Sequence, residues 1–205
     1  MRPIRLAITA MMLFCLAPQS GTADPLITKT YSYFSISGLT GAELERELSM
    51  HGPMLDGTGT RHPGATKIKL GGSVKYKTTG GKCRIIKATV KLETHLTLPR
   101  WTNRNRADRE TVLIWDTLSS DIKRHEERHA EIARQHARKL EKALEGLYPE
   151  RTCEKMEARV DATTKSIIDK HGADQDRFDR VEAASFERRM TRMLRFKVEK
   201  YLNGG

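Results

Sequence analysis

The stretch "VLIWDTLSSDIKRHEERHAEIARQHARKL", residues 112–140, decides the fold of the second half of the chain. Its apolar residues recur with the three- and four-residue spacing of one helical face. The apolar stripe consists of Val112, Trp115, Leu118, Ile122, Ile132 and Leu140. His125 and His129 continue this stripe, so we expect both rings to face inward from a helix that packs on the rest of the protein.

The predicted helix runs over about 107–147, and Gly146 and Pro149 end it. If it were unbroken, it would be about 60 Å long at 1.5 Å per residue. Because that length is large for so small a domain, we expect a break or bend near Ser119-Ser120, where a serine can cap a new helix.

The two halves of the chain differ in composition, which predicts a mainly β half over 24–100 and a mainly α half over 101–205. In the second half, two further helices are predicted over 151–170 and 175–200, separated at "HGAD". We expect one domain, 24–205, with an α+β fold in which a small antiparallel β-sheet packs beside a helical bundle.

Three segments of the first half have the pattern of strands. The segment "TKTYSYFSIS", 28–37, alternates as a strand, and 66–78 and 83–98 form two more, joined by a hairpin at "TGGK". Pro99 is predicted to end the last strand.

A short helix is predicted between the first two strands, after Gly38. Thr40 and Glu43 have the spacing of a capping box, and Gly52-Pro53 would stop the helix.

The first 23 residues have the pattern of a secretory signal peptide. Arg2 and Arg5 form the basic start, Leu6–Ala17 is an apolar run too short to span a bilayer, and small residues lead up to Ala23. We therefore predict cleavage before Asp24 and a secreted or periplasmic protein with no transmembrane segment in the mature chain.

Cleavage would remove Cys15 and leave Cys83 and Cys153 as an even pair in an exported protein. Such a pair favours one disulfide, and two buried free thiols are the alternative. The two cysteines lack the paired spacing of a zinc-binding cysteine site.

The formal net charge is +11, and it falls to +9 when Arg2 and Arg5 are removed. This charge is compatible with attraction to an anionic envelope surface. Because the basic residues are spread along predicted helices among 16 glutamates, with few aromatic residues between them, we expect a generally basic solvated surface and no nucleic-acid binding.

Residues 125–129, His-Glu-Glu-Arg-His, have the H-E-x-x-H pattern. On a helix, His125 and His129 lie one turn apart and can both bind one zinc ion. Glu126 can then lie near a bound water and act as general base, as in zincin-like peptidases. Two buried core histidines are the alternative interpretation of the pattern.

Two neighbouring residues are expected to lie outside the site. Glu127 is one position further round the helix and is predicted to be a surface charge. His136 lies about 16 Å along the helix from His125, so we expect a packing or supporting role for it. A third histidine at the metzincin spacing is absent, since Ile132 and Gln135 occupy those positions.

The third metal ligand is expected from a later helix packed antiparallel on this one. Sequence spacing alone does not choose among six candidate carboxylates: Glu154, Glu157, Asp161, Asp169, Asp179 and Glu182.

The chain resembles a family of bacterial exported proteins, domain of unknown function 922, described as predicted secreted zinc-dependent proteases. The blocks that carry the resemblance are "YSYF", "ELERELSMHGPMLDG", "GGKCRIIKATVKLE", "LPRW", "VLIWDTLSSDIKRHEERHAEIA" and the later Cys153. The resemblance implies that His125 and His129 bind zinc, that Glu126 is the catalytic acid/base, and that Cys83 pairs with Cys153.

The chain departs from the family pattern near the C-terminus, where members tend to carry Tyr-Asp-x-x-Thr-x-His-Gly. The corresponding stretch is "FDRVEAAS", 178–185, which keeps Asp179 but has Ala184 and Ser185 in place of His-Gly. We choose Asp179 as the third ligand and Glu182 as its replacement candidate.

The leading functional prediction is a zinc metallopeptidase that acts on a protein or peptide substrate. A non-catalytic zinc-binding envelope protein that serves as an interaction module is the alternative, which the change at Ala184 favours and the retained Glu126 disfavours. A basic binder of an envelope polymer or nucleic acid is a third class, supported by charge alone.

Overall fold

A computed structural model describes residues 25–54 and 59–203 of the chain. The predicted signal peptide and its cleavage site lie outside the described residues. In chain order, the elements are β1 (Leu26–Ile36), α1 (Gly41–His51), β2 (Ala65–Thr79), β3 (Lys82–Trp101), a 3₁₀ turn (Arg104–Arg106), α2 (Arg109–Glu145) and α3 (Cys153–Asn203).

The three strands form one sheet in the order β1-β3-β2, and the expected α+β architecture is confirmed. The sheet is mixed, so the prediction of an antiparallel sheet was wrong in part: β2 pairs antiparallel with β3, but β1 pairs parallel with it. The chain reverses once through α1 and once through the β2–β3 hairpin, which leaves β1 and β3 in the same direction.

Local signals set the ends of several elements as expected. Thr40 and Glu43 form the capping box of α1. The β2–β3 hairpin turns at Gly80 and Gly81, whose φ angles of 60° and 69° lie in the region that glycine adopts at no steric cost. Gly146 caps the C-terminus of α2.

The expected break at Ser119-Ser120 is absent, and α2 is one helix of 37 residues. The Ser120 hydroxyl donates to the carbonyl of Asp116 in the preceding turn, 2.6 Å away, so it does not cap a new helix.

The expected helices 151–170 and 175–200 are also a single helix, because α3 continues through "HGAD" for 51 residues. Asp174 and Gln175, at this point of the chain, bond to His136 and His129 of α2. These contacts hold the helix together where the sequence predicted a separation, and α2 and α3 pack antiparallel along their length.

Strand β3 passes through Pro99 and ends at Trp101, so the prediction that Pro99 ends it was wrong. The pairing with β2 stops at Ala65 and Thr97, after which β1 is the only described strand that pairs with β3. Beyond that point a residue without a backbone N–H is tolerated.

The main core lies between the inward face of the sheet and the two long helices. It contains Ala88, Val90, Leu92, Ala133, Ala137, Leu140, Leu144 and Val160. A second cluster packs α1 against the far end of the sheet and the start of α2: Ile36, Leu44, Leu48, Trp101 and Trp115.

The predicted disulfide is present between Cys83, at the start of β3, and Cys153, at the start of α3. Beside it, Cys83 and Glu150 exchange two backbone hydrogen bonds of 2.8 and 2.9 Å. The crosslink therefore fixes the helical pair to the sheet at the end opposite to the second cluster. Within the described residues, no helix is long and apolar enough to cross a membrane.

Candidate metal centre

Three side chains from the two long helices converge on one point. His125 and His129 on α2 and Asp179 on α3 each offer one atom, and these atoms lie within 4.8 Å of one another. The two Nε2 atoms are 3.0 Å apart, and Asp179 Oδ1 lies 3.0 Å from His129 Nε2 and 3.4 Å from His125 Nε2. The structure thus brings the predicted third ligand to the two histidines.

The spacing of these atoms fits a small tetrahedral cation. Zinc binds nitrogen and oxygen at about 2.0–2.2 Å, and tetrahedral geometry then places neighbouring ligand atoms about 3.3–3.6 Å apart. The three observed separations between the ligand atoms, 3.0–3.4 Å, lie close to this expected distance. Two imidazoles and one carboxylate, with a fourth position left for water, are also the donor set of many catalytic zinc sites.

Gln175, on α3, orients the ring of His129, and sequence reasoning missed it. Its Oε1 lies 2.7 Å from His129 Nδ1, and its Nε2 donates to the His129 carbonyl at 3.1 Å. Since the amide oxygen only accepts, the Nδ1 atom carries the proton and Nε2 presents its lone pair to the centre.

We expect Gln175→Leu to weaken zinc binding about 10- to 100-fold, because the tautomer and orientation of His129 are then unsupported. A titration against a coloured chelator measures this affinity. Gln135→Leu, on the exposed side of α2, is the matched control and should bind zinc as the wild type does. Equal affinities for Gln175→Leu and the wild type would contradict the role of Gln175.

The ring of His125 is held in place by packing against Phe178. The ring of Phe178 stacks on His125, with centroids 5.0 Å apart, and meets the ring of His129 edge-on at 5.1 Å. Burial, and then the charge of the neighbouring His129, lower the pKa of His125, which favours the neutral ring that a metal ligand needs.

Glu126 lies beside the centre and is 6% exposed. The Thr66 hydroxyl donates to its Oε2 at 2.8 Å and to its backbone carbonyl at 3.0 Å. Burial raises the pKa of the Glu126 carboxyl above its ordinary value, although the Thr66 hydrogen bond acts in the opposite direction. A carboxylate with a raised pKa is suited to general acid–base chemistry.

Gly64 allows the loop before β2 to approach this carboxylate. A Cβ atom at Gly64 would lie 2.8 Å from Ile122 Cγ2 and 3.0 Å from Glu126 Oε1, so no larger residue fits without displacing one of them.

A cavity of about 500 Å³ opens onto the centre, between the two helices and the loop before β2. Its apolar wall is formed by Pro63, Ala65, Leu118, Ile122, Ala183 and Phe186. Besides His125, Glu126, His129 and Asp179, its polar lining residues are His62, Thr66, Asp121, Glu182 and Arg189. A concave apolar site with a few convergent polar groups is the usual form of a substrate site.

Glu182, the replacement candidate, is engaged elsewhere. Its carboxylate pairs with Arg124 and lies 3.2 Å from Arg189, whereas His125 Nδ1 is 3.9 Å away. Arg189 also donates to both oxygens of Asp121 at 2.8 and 3.0 Å. The four residues form a partly buried ion network that joins α2 to α3 beside the centre.

The pKa of Asp121 reflects this network. Burial alone would raise it, but the hydrogen bonds from Arg189 and Arg124 bring it below its ordinary value. The pairing therefore stabilises the fold above the unfolded-state pKa, and this contribution is lost as the pH falls through the lower folded-state pKa.

Among the described residues, the other residues considered in the sequence analysis lie outside the group of His125, His129 and Asp179. The remaining carboxylate candidates do not join it: Glu154, Glu157, Asp161 and Asp169. His136 is buried and its Nε2 lies 2.9 Å from Asp174, so it packs α2 on α3. Glu127 bonds to Lys29 and Tyr31 of β1, which ties α2 to the sheet.

Ala184 is exposed on α3 and does not line the cavity. The departure from the family pattern at this position therefore leaves the group of His125, His129 and Asp179 complete.

The fold and site define an α+β protein with a candidate metal centre between two antiparallel helices. The chain belongs to a bacterial family described as "Bacterial protein of unknown function (DUF922)", whose profile matches residues 31–186. No curated protein and no solved structure matches the chain.

Proposed function

We propose that the protein is an exported zinc metallopeptidase. The observation that supports this proposal most is the buried carboxylate of Glu126 beside the convergent atoms of His125, His129 and Asp179. A purely structural zinc site has no need of a buried carboxylate that is not itself a ligand.

His125, His129 and Asp179 would hold the ion. Zinc bound there supplies a Lewis acid, which polarises a peptide carbonyl and lowers the pKa of a coordinated water. The apolar cavity wall would exclude bulk water and receive a side chain of the substrate.

Glu126 would carry the proton. Thr66 donates to Oε2, which would leave Oε1 free to take the proton from the water that attacks the peptide carbon. As the C–N bond breaks, Glu126 returns that proton to the leaving amine, which regenerates the carboxylate.

Export is part of the proposal. The Cys83–Cys153 disulfide is typical of proteins that fold in an oxidising compartment, in agreement with the signal peptide predicted from the sequence. A protein or peptide outside the cytoplasm is therefore the proposed substrate.

A non-catalytic zinc-binding envelope protein is the second candidate. The loss of the family histidine at Ala184 favours it, whereas the position of Glu126 favours the enzyme. The two candidates agree on zinc binding and differ on cleavage.

We expect the purified protein to cleave an unfolded protein substrate in the presence of zinc. A strong zinc chelator should abolish the cleavage and added zinc should restore it, because the ion is held by reversible coordination. Gel electrophoresis and mass spectrometry of the fragments measure this. Cleavage that continues at full rate after the zinc is removed would contradict the proposal.

A further inference from the structure

The outward face of the sheet, on the side opposite to the helices, is strongly basic. We call it the basic sheet face, and its cations come from β2 and β3. They are Lys67, Lys69, Lys75, Lys77, Lys82, Arg84, Lys87 and Lys91, all exposed. Among the described strand residues, Glu93 is the one acidic residue on this face. The inward side chains of β2, such as Ile68 and Leu70, pack on the core instead.

The excess positive charge of the protein is concentrated on this face. Helix α2 carries eight basic and eight acidic residues, and α3 carries twelve basic and ten acidic residues. Basic residues are spread along the helices among carboxylates, as expected, but the expectation of a generally basic surface was wrong. The helices are close to neutral, and the basic sheet face holds eight cations against one carboxylate.

The cations of this face repel one another in the free protein. Lys75 is the cross-strand partner of Lys87, and Lys77 is the partner of Arg84. Like charges directly opposite each other destabilise a sheet. Within the described part of the chain, none of these four residues has an ion pair with a carboxylate. These cations lower the stability of the folded protein and have no carboxylate of the described chain to pair with. An external polyanion would supply the missing negative charge.

We propose that the basic sheet face docks on an anionic phospholipid bilayer. The cations of the face are exposed along its whole length, since the 15 residues of β2 extend over about 50 Å at 3.3 Å per residue. A pocket lined by Lys67, Lys69 and Glu93 lies at one end of the face. It carries no Phe, Tyr or Trp among its described residues, whereas single-stranded nucleic acid is bound by stacking on aromatic side chains. Seven of its eight cations are lysines, whose compact charge suits a diffuse layer of headgroups better than bidentate recognition.

Docking by this face leaves the metal centre uncovered. Helix α2 and its partner α3 pack on the inward face of the sheet, and the cavity lies between them and the loop before β2. The protein would thus be held at a membrane surface with its cavity open to substrates in the adjacent compartment.

The test is binding to vesicles in a co-sedimentation assay. We expect binding to vesicles that contain phosphatidylglycerol, no binding to vesicles of phosphatidylcholine alone, and release at high salt. A variant with Lys75, Lys77, Arg84 and Lys87 changed to Gln should bind about 600-fold more weakly, since each of the four cations near such a surface contributes about a fivefold factor.

A second variant matches this one in charge and residue type. It carries Gln in place of Lys142, Lys155, Lys170 and Arg188, which are exposed on the helices. We expect it to bind vesicles within about fivefold of the wild type. Circular dichroism and zinc content should be unchanged in both variants. His129→Ala should bind vesicles as the wild type does, so vesicle binding can be tested independently of zinc binding and peptide cleavage.

Three outcomes would overturn the inference. These are equal losses in the two fourfold variants, equal binding to neutral vesicles, and binding to a soluble polyanion such as heparin or single-stranded DNA without binding to anionic vesicles.

Discussion

Replacing Glu126 with Gln should lower kcat/KM for a peptide substrate about 100- to 10,000-fold and leave the zinc content unchanged. Glutamine keeps the shape of the side chain and can still accept from Thr66, but it cannot take a proton from water. Since Glu126 lies beside the group of three ligand atoms and outside it, the ion should remain bound. Steady-state cleavage of a fluorogenic peptide, together with elemental analysis, measures both effects.

Glu127→Gln is the matched control, because it makes the same change one residue along the helix. Glu127 bonds to Lys29 and Tyr31 on β1 and is not part of the cavity lining. We expect its kcat/KM to stay within about threefold of the wild type. If Glu126→Gln cleaved as fast as the wild type, or if both variants lost activity equally, Glu126 could not be the general base.

The second large effect is expected on stability. Arg189→Met should lower the free energy of unfolding by about 2–4 kcal/mol, since it removes one of the two cations that pair with the buried carboxylate of Asp121 and leaves Arg124 as the other. The side chain of Asp121 is 5% exposed and that of Arg189 is 12% exposed, and both oxygens of Asp121 accept from the guanidinium. Urea unfolding followed by circular dichroism measures the change.

Arg104→Met tests whether burial is the cause. Arg104 also makes two hydrogen bonds to a single carboxylate, that of Asp116, but the two side chains are 50% and 39% exposed. An exposed pair of this kind contributes about 0–1 kcal/mol, so the loss should be small. Equal losses for Arg189→Met and Arg104→Met would show that the network beside the metal centre does not brace α3 on α2.

The features that the sequence predicted well are those that depend on neighbours within a few residues. The H-E-x-x-H helix, the Thr40–Glu43 capping box and the glycine turn at 80–81 all follow from such short-range patterns. The disulfide followed from a simple count, because Cys83 and Cys153 were the only pair left after the predicted cleavage.

The features that it missed depend on contacts between distant segments. The continuity of α3 through "HGAD" rests on bonds from Asp174 and Gln175 to helix α2, and no local propensity encodes them. Asp179 could be chosen only through the family resemblance, because six carboxylates satisfied the spacing. The basic sheet face required the register that sets Lys75 opposite Lys87.

The measurement that tests the account most directly is the zinc content of the purified protein, with Asp179→Ala and Asp176→Ala as a matched pair. Asp179 supplies a convergent oxygen, whereas Asp176 is exposed three residues earlier on α3. We expect about one zinc ion per chain in the wild type and in Asp176→Ala, and a large loss in Asp179→Ala after dialysis. A wild-type protein that holds no zinc after purification in its presence would contradict the metal centre itself.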